Sequence, residues 1–487
     1  MADHLKKLTI LHSNDIHGDF LAEDDNPDDG GISALSGYVV DVRAKNPEDT
    51  LYMIAGDMLQ GSLIDTEFKG LSTIEIMNAI NPDVACLGNH EIDYGLAHLL
   101  LLERCAKFPI VCSNLYIRRP YTRLFGSHKI LDVNGLRIMV IGIVTEEVLS
   151  SIRLDNLLGT LVDVDAAAQQ VGRICNAYRD IDIDLTVLLT HIGFEEDKQL
   201  AALLDPDWGV DLIIGGHTHT VLDKPAEVNG ILIAQAGHGT SHIGRFELVL
   251  NTDNNTIDSY EWEFVDIAKA GTPRDIQLEE IIDGFEHTVD EKYDQVLCKF
   301  QRELTHPARN QETEIGDLFA DALKARLGVD LMMVGSGSIR KEKMGPTVTR
   351  MNLMEVMPYD DKVIAIKVTG AQLKHMVKFM LRDETLDGAH GEFYQFSKGM
   401  SVIYDKASHS FTKFDFNDAP VKDDDVLRIG LQEYHHINFD RFFDLPKTEL
   451  VDGKGSVATT SIRDVLEEYL ATTHRPNAKL EGRWVVV

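Results

Sequence analysis

The chain has 487 residues, a length that favours two domains over one hydrophobic core. Its apolar content of 44% and its charged content of 26% are typical of a soluble globular protein. The formal net charge of −32 argues against a nucleic acid polymer or an anionic membrane as partner, because both attract basic surfaces.

The cysteines and the amino-terminal segment bear on the cellular compartment. The five cysteines are odd in number and include no Cys-x-x-Cys pair, so neither a disulfide framework nor a zinc ribbon is predicted. The apolar stretch behind Lys6 and Lys7 is interrupted at His12, and the sequence shows neither a signal peptide nor a membrane-spanning segment. These features predict a cytoplasmic protein without a membrane partner, and they give no indication of its oligomeric state.

The first half of the chain has the pattern of a layered α/β domain. From Leu8 to about Val265, apolar runs of strand length alternate with stretches of helical periodicity. Five of the runs are rich in β-branched residues and stop at polar or small residues, which is typical of buried strands. The predicted strands are 8–11, 51–55, 84–87, 185–189 and 212–214; the predicted helices are 31–45 and 95–107; and a hairpin of 245–250 with 259–265 closes the domain.

The second half begins after a linker. A charged stretch from about 275 to 293 has apolar residues at helical spacing and is predicted to be a helix joining two domains. The predicted boundaries are a first domain at 1–270, a linker at 271–295 and a second domain at 296–487. Within the second domain the patterns predict a helix at 315–327, strands at 330–334 and 362–368, and a helix at 370–381.

Each of the five predicted strands runs directly into residues that can bind a metal ion. A single Gly-His or Gly-Asp after a strand is usually a turn, but five such endings in order indicate a site. In an α/β sheet, ligands bind outside the carboxyl ends of the strands, so we expect these side chains to lie together. The candidate metal ligands are Asp15, His17, Asp57, Asn89, His191, His217 and His219.

The ligand types indicate which ions bind and how they are shared. Carboxylate, amide and imidazole groups suit borderline divalent ions such as Zn²⁺, Mn²⁺, Co²⁺ or Fe²⁺, and the lack of cysteine argues against a structural zinc site. Asp15 and His17 share one face of an extended segment and are predicted to hold one ion with His219. Asp57 is predicted to bridge to a second ion, because a carboxylate has two oxygens. The remaining ligands of that second ion are Asn89, His191 and His217.

Two further residues suit proton transfer beside the metals. His90 adjoins a predicted ligand and can donate a proton or a hydrogen bond to the developing charge or to the leaving oxygen. Asp93, three residues later, can hold the other ring nitrogen and fix the tautomer. A pair of divalent ions activates water and clamps the attacking and leaving oxygens of a displacement, so the set predicts a two-metal phosphoesterase.

Several blocks of the sequence resemble the calcineurin-like metallophosphoesterases. They are Asp15-Ile16-His17, Gly56-Asp57, Gly88-Asn89-His90-Glu91-Ile92-Asp93-Tyr94-Gly95, His191 and Gly216-His217-Thr218-His219. The third block is similar to the 5′-nucleotidase branch, in its bacterial two-domain form without a signal peptide. The resemblance implies a four-layer α/β/β/α metal domain joined by a helix to a second α/β domain, which binds the substrate and closes over the metals.

The resemblance also implies a set of substrate-binding residues in the second domain. Arg309 and Arg340 match arginines that contact phosphate or ribose, a role suited to the planar fork of the guanidinium group. Tyr359 and Tyr434 match two aromatic residues that stack on the base, and Asp440 matches an aspartate that binds the ribose.

The specificity half departs from the family pattern at several positions. Gly335 stands where the family usually has Asn, and Asn438-Phe439-Asp440 replaces Gly-Gly-Asp. The leading hypothesis is hydrolysis of nucleoside 5′-monophosphates to nucleoside and phosphate. A rival keeps the same chemistry but cleaves a 2′,3′-cyclic nucleotide, a nucleotide sugar or a dinucleotide cofactor. A third hypothesis, a non-catalytic nucleotide or metal sensor, requires lost ligands, whereas this chain retains all of them together with His90.

Overall fold

The protein is described from a computed structural model that covers residues 4–21, 31–117, 122–145, 158–159, 163–386, 392–452, 455–474 and 476–487. The chain divides into two compact units, Met1–Val289 (unit 1) and Asp290–Val487 (unit 2). The division falls inside a helix, Ile276–Tyr293, which lies within the predicted linker. The boundaries 1–270, 271–295 and 296–487 stay a prediction. Among the described residues, no helix is both long and apolar enough to cross a membrane.

Unit 1 contains two six-stranded sheets with parallel strands at their centres. The first has the spatial order Thr256–Asp266, His242–Asn251, Leu5–Ser13, Thr50–Ala55, Val84–Cys86 and Ile110–Val111. The second has the order Ala226–Val228, Ile231–Ala234, Leu212–Ile214, Leu185–His191, Leu136–Val144 and His128–Val133. A small sheet joins Tyr116–Ile117 with Thr122–Arg123 and Leu158–Gly159.

The two sheets pack face to face through alternate residues of their strands. Leu8 and Ile10 of the first sheet share one core with Val140, Val187 and Leu189 of the second. Because side chains alternate along a strand, the next residues point outward, where helices cover them. The helices of unit 1 are Gly31–Lys45, Leu63–Phe68, Leu71–Ile80, Leu96–Cys105, Val164–Ala177, Phe194–Leu203 and Ile267–Ala270. This arrangement confirms the four-layer α/β/β/α fold.

Unit 2 is a second α/β body. Its larger sheet has the order Tyr394–Phe396, Leu331–Gly335, Val426–Gln432, Val363–Thr369 and Ser456–Thr459. A four-stranded sheet contains Ala419–Pro420, Ser410–Phe416, Met400–Asp405 and Trp484–Val486, and two strand pairs join Val296–Lys299 with Thr347–Thr349 and Leu304–Thr305 with Lys343–Met344. Its helices are Glu314–Leu327, Arg350–Val356, Gly370–Met380, Asp383–Leu386, Glu433–Ile437, Phe439–Phe443 and Ile462–Thr472.

The predicted elements are confirmed to within a few residues, including the five strands that end in candidate ligands. The switch from strand to helix at Thr369 shows a local reason for this agreement. Thr369 Oγ1 accepts from Gln372 N at 3.1 Å, and Gln372 Oε1 accepts from Thr369 N at 2.9 Å, which forms a capping box. The sequence pattern did not predict how the five strands are shared, with three in the first sheet and two in the second.

The close approach of the two sheets depends on a glycine in strand Leu136–Val144. A Cβ atom on Gly142 would lie 2.1 Å from the carbonyl oxygen of Val111 in the first sheet. We therefore expect Gly142→Ala to lower the free energy of unfolding by about 1–3 kcal/mol, since backbone atoms would have to separate. Denaturant unfolding followed by circular dichroism measures this change.

Gly284→Ala is the matched control. Gly284 is exposed in helix Ile276–Tyr293, and a Cβ there meets nothing within 4 Å. Alanine should raise the free energy of unfolding by about 0.5–1 kcal/mol, because it is the better helix former. Equal stability of the two variants would show that the sheets separate at the Val111 contact without cost.

Candidate metal centre and substrate cavity

The carboxyl ends of strands from both sheets of unit 1 meet at the side chain of Asp15. Asp15 follows strand Leu5–Ser13 of the first sheet and is fully buried. Its Oδ1 atom lies 3.8 Å from Nε2 of His191 and 3.5 Å from Nε2 of His219, which end or follow strands of the second sheet. Packing of the two sheets therefore brings distant strand endings to one point.

The chain adopts left-handed backbone conformations at five of the seven candidate ligands. The residues and their φ angles are Asp15 at 52°, His17 at 51°, Asp57 at 51°, His217 at 86° and His219 at 51°. This conformation costs a residue other than glycine about 1–3 kcal/mol and is concentrated at functional sites. Asp and His tolerate it better than most residues, which fits the residue types found at these turns.

Asp15, His17 and His219 form the first group of ligand atoms, all within 4.8 Å of one another. The Nδ1 atom of His17 lies 3.3 Å from the carbonyl oxygen of Leu59 and 3.1 Å from that of Gln60. These contacts favour a proton on Nδ1, which leaves a lone pair on Nε2. Nε2 of His17 lies 3.1 Å from Nε2 of His219, a spacing that suits two nitrogens sharing one cation.

Asp57, His191 and His217 form the second group, again within 4.8 Å. Nδ1 of His191 lies 2.8 Å from the carbonyl oxygen of Ala55, which directs the lone pair of Nε2 toward the group. Oδ1 of Asn89 is buried without a hydrogen-bond partner among the described residues. A buried polar atom that lacks a partner is costly, and a divalent cation of the kind named above would satisfy it.

The carboxylate of Asp57 faces both groups. Its Oδ2 atom lies 3.0 Å from Nε2 of His191 in the second group and 3.8 Å from Nε2 of His17 in the first. Burial opposes ionisation of Asp57, but attraction to His191 outweighs it and lowers the pKa of the carboxyl to about 2. The position and the charge of Asp57 are those expected of a bridging ligand.

His90 is half-buried beside these groups. Its backbone N–H donates to Oδ1 of Asp57 at 2.9 Å, and its Nδ1 atom lies 2.7 Å from Oδ2 of Asp93. The hydrogen bond to Asp93 outweighs desolvation and raises the pKa of His90 to about 8. A ring nitrogen of His90 also lies within 4.8 Å of ligand atoms of His17 and Asp57, so distance alone admits both a ligand and a proton donor.

Unit 2 contains a cavity of about 450 Å³ that collects four of the five predicted substrate residues. Its lining residues are Arg309, Gly337, Ser338, Arg340, Tyr359, Asp361, Glu392, Tyr434 and His435. The side chains of Tyr359 and Tyr434 are 51% and 52% exposed, and the guanidinium carbon of Arg340 lies 5.9 Å from the ring centre of Tyr359. The cavity therefore offers aromatic faces and guanidinium groups together.

Asp440 lies outside the lining of this cavity. It is exposed on helix Phe439–Phe443, and its Oδ1 atom accepts from the backbone N–H of Lys447 at 3.1 Å. The contact of Asp440 with a ribose rests on the resemblance alone and stays a prediction.

Comparison with known proteins matches both units. Residues 8–221 match the family of calcineurin-like phosphoesterases, and residues 293–445 match the 5′-nucleotidase C-terminal domain. The chain belongs to the 5′-nucleotidase family of calcineurin-like phosphoesterases. Members of this family use divalent metals, and the chain is a phosphoric monoester hydrolase.

Individual relatives of this family are similar over most of the chain. The 5′-nucleotidase of Mus musculus is 27% identical over 449 residues, which are 82% of this chain and 75% of the mouse protein. The trifunctional nucleotide phosphoesterase protein YfkN of Bacillus subtilis is 27% identical over 77% of this chain and 28% of its own length. The solved structure of a 5′-nucleotidase precursor from Thermus thermophilus shares the fold, with a TM-score of 0.59, 22% identity and 99% coverage of both chains.

Glu91 supports the metal centre of this 5′-nucleotidase family member, a role that the sequence did not reveal. Its buried carboxylate accepts from the backbone N–H groups of Asp57 at 3.1 Å, Met58 at 2.7 Å and Gly88 at 2.6 Å. Glu91 therefore ties the loop that carries Asp57 to the loop that carries Asn89. The available signal was a charged residue inside a block of candidate ligands.

Asn14 has a similar supporting role. Its Nδ2 atom donates to Oδ2 of Asp15 at 2.7 Å and to the carbonyl oxygen of Gly237 at 2.6 Å, while its Oδ1 atom accepts from Ala236 N at 2.8 Å. The amide thus fixes the orientation of the Asp15 carboxylate against a loop of the second sheet. In unit 2, Asp361, Glu392 and His435 also line the cavity, and the sequence pattern did not predict them.

We expect Glu91→Ala to lower the free energy of unfolding by about 2–4 kcal/mol, because it leaves several buried N–H groups without an acceptor. Denaturant unfolding in the presence of a chelator measures this effect separately from metal binding. Glu195→Ala is the control, since Glu195 makes an exposed ion pair with Lys198 and should change stability by no more than about 0.5 kcal/mol. Equal stability of the two variants would contradict the supporting role of Glu91.

Proposed function

We propose that the protein hydrolyses nucleoside 5′-monophosphates to nucleoside and inorganic phosphate with two divalent ions. The observation that carries the proposal is the carboxylate of Asp57, which faces two separate groups of ligand atoms in unit 1. Family membership supports phosphate ester hydrolysis, and the cavity of unit 2 supports a nucleoside as the part of the substrate that is recognised.

The residues divide into two ligand sets. Asp15, His17 and His219 would hold one ion, and Asp57 would be shared between the two. The set for the other ion is completed by Asn89, His191 and His217. When bound, the ions would supply a water of lowered pKa and neutralise charge on the phosphate. The donor set accepts Mn²⁺, Zn²⁺, Co²⁺ or Fe²⁺, so availability governs which ion is bound.

His90 is the proposed proton donor to the leaving oxygen. Its Nδ1 atom is engaged by Asp93, so the tautomer and the ring orientation are fixed and Nε2 is left for the substrate. Asp93 also raises the pKa of His90 to about 8, which favours the protonated form that a donor needs.

The proposed nucleoside site is the cavity of unit 2. Tyr359 and Tyr434 present exposed rings on which an aromatic base can stack, and Arg309 and Arg340 provide planar donors for phosphate or sugar oxygens. The net charge of the chain does not oppose an anionic substrate, because local cationic groups govern its binding.

A second candidate function is the same hydrolysis of a 2′,3′-cyclic nucleotide, a nucleotide sugar or a dinucleotide. It is favoured by Gly335, by Asn438-Phe439, and by the position of Asp440 outside the cavity. Retention of the ligand residues and of His90 argues against a non-catalytic sensor. A cytoplasmic location stays part of the proposal.

Phosphate release from a panel of esters tests the substrate. The panel contains 5′-monophosphates, 3′-monophosphates, 2′,3′-cyclic nucleotides and nucleotide sugars, each with added Mn²⁺ and after chelation. We expect release from 5′-monophosphates that chelation abolishes. Activity confined to another ester would contradict the proposed substrate, and activity after complete metal removal would contradict the proposed mechanism.

In Asp57→Asn both the bound metal per chain and the turnover should fall, because the shared carboxylate is lost.

His90→Ala should lower kcat by about 10²–10⁴-fold while the bound metal per chain is retained, because a proton donor is lost but no ligand. Elemental analysis and steady-state kinetics on the same preparation separate these effects. His98→Ala, on the neighbouring helix Leu96–Cys105, is the control and should retain both properties. Loss of metal from the His90 variant would instead identify His90 as a ligand.

A further inference from the structure

One wall of the cavity in unit 2 is formed by the ring of His435. The residue is only 2% exposed, and its Nδ1 atom is buried without a hydrogen-bond partner among the described residues. Three aromatic rings hold the imidazole edge-on: Tyr394, Tyr434 and Phe442, with ring centres at 5.1, 5.5 and 5.0 Å. A buried polar nitrogen that is fixed in place but unpaired is unfavourable unless a ligand satisfies it.

His435 also explains the unusual glycine at position 335. A Cβ atom on Gly335 would lie 2.0 Å from Cε1 of His435, 2.9 Å from its Nε2 and 3.0 Å from its Nδ1. The imidazole therefore occupies the space that a side chain at position 335 would need. Gln432 holds the backbone of this glycine, because its Oε1 atom accepts from Gly335 N at 2.9 Å.

His435 lines the cavity, and its ring carries two nitrogens that can hydrogen-bond. Burial lowers the pKa of His435 to about 4, so the ring is neutral near pH 7, with one N–H and one lone pair. Glu392 and the two arginines of the lining offer less. Glu392 accepts from Gly337 N at 2.7 Å, and the guanidinium groups of Arg309 and Arg340 only donate. A heterocyclic base presents donors and acceptors on its edge, which a neutral imidazole can match.

We propose that His435 is a specificity-determining residue that hydrogen-bonds the edge of the base, while the base lies against the exposed tyrosines of the cavity. The inference rests on the proposed function in so far as the ligand is a nucleoside. It goes further by assigning recognition of the base to a residue that takes the place of a side chain at position 335. Loss of the His435 nitrogens would leave stacking of the base on the tyrosines intact, because stacking does not depend on the pattern of donors and acceptors.

Nucleoside binding to the metal-free full chain tests this inference without depending on turnover. Adenosine, guanosine, cytidine, uridine and base-free ribose are titrated by calorimetry in the presence of a chelator. His435→Phe retains an aromatic ring but removes both nitrogens, so it should weaken binding of the preferred nucleoside about three- to tenfold. The differences in affinity among the four nucleosides should become smaller, and the affinity for ribose should stay unchanged.

Two further variants serve as controls for position and space. His436→Ala lies on the same helix, Glu433–Ile437, but outside the cavity lining, and should bind like the unmodified chain. Gly335→Ala should displace the imidazole, since the added Cβ collides with Cε1 of His435. It should therefore weaken binding of the preferred nucleoside as His435→Phe does. Thermal unfolding of each variant checks that the loss of affinity occurs in folded protein.

Several outcomes would overturn the inference. Unchanged affinity and ranking in His435→Phe would exclude a hydrogen bond from His435 to the base, and so would a complete lack of nucleoside binding to the unmodified chain. The proposed function fails separately. If nucleoside binding depends on His435 but 5′-monophosphates are not hydrolysed, the role of His435 stands and the proposed substrate is rejected. If 5′-monophosphates are hydrolysed and the base preference is unchanged in His435→Phe, the proposed substrate stands and the role of His435 is rejected.

Discussion

The carboxylates of Asp15 and Asp57 are buried, at 0% and 2% exposure, and a buried charge is stable only when it is paired. Much of unit 1 serves this requirement. Imidazoles from the second sheet approach both carboxylates, and Asn14 and backbone N–H groups donate to them. The carboxylates and the lone pairs of the imidazole nitrogens converge in a way that a divalent cation satisfies better than protons do.

The backbone conformations that hold this arrangement are unfavourable, and the packing of the surrounding fold compensates for them. Left-handed turns at five ligand positions are unfavourable in isolation, and they persist because the strands before them are packed in the core that the two sheets share. Glu91 binds N–H groups of the loop that carries Asp57 and of the loop that carries Asn89, and Gly142 allows the sheets to approach closely enough for their strand ends to meet. The metal centre is thus a property of the whole sandwich.

Unit 2 follows a different physical logic. Its cavity combines exposed aromatic rings with guanidinium groups, so it can hold a ligand that is partly aromatic and partly anionic. His435 adds the element of discrimination, because an unpaired buried nitrogen favours a ligand that satisfies it and disfavours one that does not. In the proposed function, the metal chemistry belongs to unit 1 and the recognition of the substrate belongs to unit 2.

The strands, the helices and the candidate ligands could all be predicted from the amino-acid sequence, because periodicity and residue type are local properties. A family resemblance also named five candidate substrate-binding residues, four of which line one cavity. Tertiary structure alone decided that the five strands divide between two sheets, that Glu91 binds two loops, and that His435 fills the space beside Gly335. Asp440 likewise matches the family motif in sequence, yet it lies outside the cavity. These features depend on contacts between residues far apart in the chain, and such contacts leave no periodic signal in the sequence.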